Sequence, residues 1–203
     1  MGVPMTPALQ LVNSVALLSW SLLLLHAIVP GGGPFGGVRN AGLKDENARS
    51  LFLILQGLMG SEVVAISLQR KLSFGNFMQT MLGTFICLFR LSCAFLVVPL
   101  LEQDLLQKAL LGGWAFSDTV RYAALLGKKV KMLQLLRRIV SAILFALVAT
   151  AEIAAAWAVL EKTTERVNAI LRAQILVTAM GLPVGTMLFL RAAMKSKPHA
   201  KDE

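Results

Sequence analysis

LRRIVSAILFALVATAE, residues 136–152, opens with two arginines, runs apolar, and then sets a carboxylate inside a hydrophobic segment that continues to Leu160. At 1.5 Å per residue, the run from Leu133 to Leu160 is longer than the ~30 Å hydrocarbon core of a bilayer. No Gly or Pro interrupts it. It reads as a transmembrane helix that tilts or projects beyond the core. Glu152 then lies at membrane depth, where an ionisable side chain needs a partner or a task.

The rest of the 203-residue chain follows the same pattern. It is 56% hydrophobic and only 15% charged, against about 25% charged in soluble domains, and its mean hydropathy is +0.69. The apolar residues come in runs of about 20 rather than in amphipathic stripes. Six such segments fall at about 9–29, 51–68, 77–100, 105–126, 133–160 and 169–192. The expectation is an all-α integral membrane protein. Residues 1–194 form a bundle of six transmembrane helices, and 195–203 a polar basic tail. The stretch Pro30-Gly-Gly-Gly-Pro-Phe-Gly-Gly cannot continue a helix and belongs outside the membrane.

Six spans put both termini on one side. That side holds eleven Lys and Arg and the opposite loops seven, which favours both ends in the cytoplasm, or in the matrix of a mitochondrion. The net charge of +9 sits in these loops and the tail, so it reads as topology and contact with anionic lipid rather than with nucleic acid. Cys87 and Cys93 are six residues apart on one helix and point to different faces, so they cannot bridge each other. With two histidines, His26 and His199, and no ligand spacing, neither a metal nor a cofactor is expected. The N-terminal residues lack the basic region of a cleavable signal, and the tail lacks a retrieval signal. Localisation is therefore open between the endoplasmic reticulum and the mitochondrial inner membrane.

Five charges remain at membrane depth: Glu62, Arg90, Asp118, Arg121 and Glu152. Asp118 and Arg121 are i,i+3 neighbours and can pair locally, while the other three need partners on other helices. Together with Tyr122 they are expected to form one polar seam inside the bundle. The bland reading of that seam is interhelical glue.

Several of these residues fall in motifs. Asn13 and Trp20 are seven residues apart in the first segment. QGLMGSEVVAI, residues 56–66, carries Glu62. Phe77-Met78-Gln79 opens the third segment. Trp114-Ala-Phe-Ser-Asp118-Thr-Val-Arg121-Tyr122 fills the fourth, and Leu136-Arg137-Arg138, Leu144-Phe145-Ala146, Val148 and Glu152 run along the fifth. In order and spacing this set resembles the very-long-chain 3-hydroxyacyl-CoA dehydratases, also called protein-tyrosine-phosphatase-like A proteins, across the first five segments. The departures are specific. Ala65 stands at a family His, Gly83 at an Arg, Asp118 at a Glu, Phe145 at a Tyr, Ala146 at a Pro and Val148 at a Gly.

The resemblance implies six spans with cytosolic ends, and a reaction that dehydrates 3-hydroxyacyl-CoA to the trans-2-enoyl-CoA in fatty-acid elongation. It also implies a Tyr/Glu pair seven residues apart, which two helical turns bring to one face. The carboxylate takes the proton alpha to the thioester, and the phenol serves the departing hydroxyl. Here Glu152 is present but its partner is Phe145, which has no proton to give. Tyr122 is the chain's single tyrosine and already fills another family position. Ser141 and Thr150 are expected to bond back to their own helix.

Three readings follow. The first is a catalytically inactive relative serving as a structural, lipid-contacting subunit among other membrane proteins, with Glu152 a vestige that is protonated or paired. The second is an active dehydratase that binds acyl-CoA, with water or Tyr122 replacing the phenol. The third is a transporter or channel using the polar seam. Lys128, Lys129, Lys131, Arg137 and Arg138 are expected to contact anionic lipid, or CoA phosphates if the site is active. Trp20 and Trp157 read as packing or interface residues, Gly112-Gly113 as a place of close helix approach, and Pro183 as a kink.

Overall fold

The computed structural model describes residues 7–29, 42–69 and 74–194. All its regular structure is helical. Six long helices follow in order: α1 Pro7–Ile28, α2 Glu46–Gln69, α3 Phe74–Ser92, α4 Asp104–Leu126, α5 Lys131–Val159 and α6 Glu165–Met194. α3 continues as a π turn, Cys93–Val97, and a 3-10 turn, Val98–Leu100. Pro99 lacks the N–H that a further α turn requires, so the ladder ends there.

The helices start where the apolar runs begin, or earlier. α2 begins five residues before its expected start and α6 four residues before. Polar first turns explain both extensions. Asp45 Oδ1 accepts the Ala48 N–H at 2.9 Å, an N-cap bond, and Glu46 and Glu165 lie where a helix N-terminus favours negative charge. α6 runs on through Pro183.

Among the described residues, four helical segments are long and apolar enough to cross a membrane: Pro7–Ile28, Gly83–Leu100, Lys131–Lys162 and Glu165–Met187. α4 is less apolar because it carries Asp118 and Arg121. Large apolar side chains are exposed all round, among them Leu18 at 66%, Ile54 at 68% and Met180 at 68%. Such a surface is compatible with an integral membrane protein.

Packing is uneven across the bundle. α1 lies along α4, α4 along α5 and α5 along α6, while α2 pairs chiefly with α3. The solid part is built from α1, α2 and α4. Trp20 meets the edge of Phe52 at 6.1 Å, and Phe52 stacks on Trp114 at 5.2 Å, with all three side chains fully buried. Small residues let the helices approach. Gly112 faces Ala27 of α1, and a Cβ at Gly113 would come within 2.6 Å of Val148 Cγ2 on α5. Of the four apolar segments that of α6 is the least covered, with 11% of its apolar window buried against 33% in the other three. Where α3, α4, α5 and α6 come together, the interior is hollow.

Candidate functional site

The hollow is a cavity of about 470 Å³, a size typical of small-ligand pockets. α3 contributes Phe85, Phe89 and Arg90 to its wall, α4 contributes Asp118 and Arg121, and α6 contributes Val177, Thr178 and Gly181. α5 runs its length, from Arg137 through Ser141, Phe145 and Val148 to Glu152. The fifteen residue-to-residue steps from Arg137 to Glu152 span about 22 Å.

Phe145 and Glu152 therefore share one wall, as their spacing of two turns requires. Glu152 is 8% exposed and accepts a hydrogen bond of 2.8 Å from Trp114 Nε1. A buried indole N–H and a buried carboxyl each need a partner, and here each supplies the other's. The Phe145 ring lies against Gly185 of α6, with Cε1 and Cζ so close that any side chain there would collide with them. Val148 fills the notch above Gly113.

The other charges form a ladder across three helices. Arg90 of α3 pairs with Asp118 of α4. Asp118 Oδ1 also lies 3.5 Å from Arg121 Nη1, and Arg121 pairs with Glu62 of α2. Tyr122 donates its hydroxyl to Glu62 Oε1 at 3.0 Å, and the Arg121 guanidinium lies 5.0 Å from the centre of the Tyr122 ring. Two cations and two anions thus compensate one another. The expected seam of five charges is divided in the structure: Glu152 shares the cavity wall with Arg90, Asp118 and Arg121, yet its hydrogen bond is to an indole.

Tyr122 is fully buried, its hydroxyl is committed to Glu62, and it is not among the cavity-lining residues. Thr150 bonds back to the Ala146 carbonyl at 2.8 Å, whereas Ser141 lines the cavity. The basic group also divides. Lys128, Lys129, Lys131 and Arg138 are exposed, while Arg137 turns inward to the wall. Trp157 is 68% exposed and Trp20 fully buried. Both cysteines are free and buried, and Cys93 Sγ accepts from Gln174 Nε2 at 3.2 Å. The side chains of Ala65 and of Phe77-Met78-Gln79 lie outside the described set, as do the basic tail and His199.

Two partners escaped the sequence reading. Trp114 had a signal, since a buried acid calls for a donor and an indole N–H is one. The contact of Gly185 with Phe145 had none beyond the glycine itself. No protein-family model, no curated protein and no solved structure matches the chain.

Proposed function

We propose that the chain is a six-span membrane protein descended from the 3-hydroxyacyl-CoA dehydratases. It has lost catalysis and serves as a lipid-contacting, structural subunit of a larger membrane assembly, such as a mitochondrial respiratory or ATP-synthase complex. One observation carries this reading. Glu152 lines an open cavity, but the wall position two turns away is Phe145, and the single tyrosine is bonded elsewhere. A positioned general acid contributes about 10²–10⁴-fold to such a reaction, so its loss cripples turnover. The uncovered apolar flank of α6 supports the subunit role, because that flank needs lipid or a neighbouring protein against it.

The openness of the cavity favours a second reading, a working dehydratase of the endoplasmic reticulum with water in place of the phenol. The two readings part in one assay. Purified wild type and Glu152→Gln are incubated with long-chain 3-hydroxyacyl-CoA, and the enoyl-CoA is measured by mass spectrometry. Both are expected at the no-protein background. Product from wild type that disappears in Glu152→Gln overturns the silent reading. Enoyl-CoA formed by Phe145→Tyr and abolished by adding Glu152→Gln would mark Glu152 as the surviving half of a pair.

A further inference from the structure

A second hollow adjoins the cavity on the flank of the bundle. A groove of about 250 Å³ runs between α3 and α6, lined by Leu88, Ser92, Ile170 and Gln174. It shares Phe85, Phe89 and Val177 with the main cavity. α3 and α6 touch only sparsely along this seam, since α3 packs on α2 and α6 on α5. One end of the seam is tied. Ser92 Oγ bonds Gln174 Oε1 at 2.6 Å, and Gln174 bonds Cys93. Toward Phe85 on one side and Val177 and Gly181 on the other, the seam is open, and a Cβ at Gly181 would meet nothing within 4 Å.

The charges inside give the occupant a direction. Arg90, Asp118 and Arg121 are answered within the ladder, and Glu152 by Trp114. Arg137 is different: it lines the cavity, and among the described residues it has no carboxylate partner. It stands about 9 Å along α5 from Lys131, at the end where Lys128, Lys129 and Lys131 are exposed. A basic rim of this kind gathers anionic lipid. The roughly 22 Å from Arg137 to Glu152 exceeds the ~15 Å depth of one hydrocarbon leaflet, half the bilayer core. An ordinary membrane acyl chain therefore fits along the wall, against Phe85, Phe89, Phe145, Val148 and Val177.

We propose that the cavity holds one anionic phospholipid of the surrounding bilayer, its phosphate on Arg137 and one acyl chain inside, entering sideways between α3 and α6. This rests on the silent reading above and names what the chamber keeps in place of a substrate. The side opening suits a bilayer lipid, which need not leave the hydrocarbon to enter.

The full-length protein is extracted from its membrane in polymer-bounded lipid particles and exchanged into mild detergent. The lipid it retains is then identified by mass spectrometry. Two variants accompany it: Arg137→Gln, which removes the phosphate contact, and Gly181→Phe, which fills the chamber from a position with room for a side chain. Wild type is expected to retain an anionic phospholipid enriched over the bulk membrane. Arg137→Gln is expected to lower that enrichment roughly tenfold, the worth of a charge-assisted hydrogen bond. Gly181→Phe is expected to abolish it. The proposal is overturned by retention no greater than in Gly181→Phe, by retained lipid indifferent to Arg137→Gln, or by acyl-CoA as the bound species. The dehydration assay on the same preparation keeps the two ideas apart. Turnover by wild type sinks the silent reading whatever lipid is found, and absence of lipid sinks this proposal whatever the turnover.

Discussion

Glu152 illustrates how much a single side chain's meaning depends on its neighbours. Its depth and its spacing from position 145 could be read from the sequence, because both follow from helix periodicity. Its partner could not, because Trp114 lies on another helix thirty-eight residues away in the chain. The pairing makes a testable distinction. Glu152→Gln keeps an oxygen that can accept the indole N–H, so it should change stability by less than about 1 kcal/mol. Glu152→Leu leaves the Trp114 N–H buried without a partner and should cost about 1–3 kcal/mol. Equilibrium unfolding in mixed micelles measures both, and a Leu variant as stable as wild type would show that the hydrogen bond is dispensable. Arg137 and Arg138 make a similar point. Adjacent in sequence and alike in chemistry, they are separated by the 100° step of the helix, one toward the cavity and one outward.

The helices themselves were legible as apolar runs, and their early starts at α2 and α6 trace to polar first turns that a hydropathy reading passes over. What the runs could not disclose is which pairs pack solidly. That is decided by small residues at crossings. Gly113 receives Val148 and Gly185 receives the Phe145 ring, so α5 is seated between α4 and α6 by two glycines on its neighbours. Gly181, one turn before Gly185 on the same helix, opens into empty space. The two glycines should therefore respond oppositely to enlargement. Gly185→Val overpacks the α5–α6 contact and should destabilise by about 1–3 kcal/mol, while Gly181→Ala should fall within about 0.5 kcal/mol of wild type. Equal losses at both positions would mean that the gap beside Gly181 is absent in the folded protein.

The bundle as a whole divides into a packed part, α1 with α2 and α4, and a hollow part lined mainly by α3 to α6. Composition pointed to the class, all-helical with spans apolar enough for a membrane, and among the described residues four helices meet that standard. The polar ladder Arg90–Asp118–Arg121–Glu62 neutralises the charges of α2, α3 and α4 between helices. The division into solid and hollow parts was not legible, because it depends on how helices distant in sequence meet. It is also what gives the chain a function to propose: a chamber with a carboxyl in its wall, a phenylalanine two turns away on the same helix, and a groove at its side. A density map of the protein in its native lipid surroundings tests this most directly. Phe145 and Glu152 are expected on the wall of an open chamber, with elongated density running from Arg137 and leaving between α3 and α6. A closed α3–α6 seam, with Phe145 and Glu152 buried in a filled core, would contradict it.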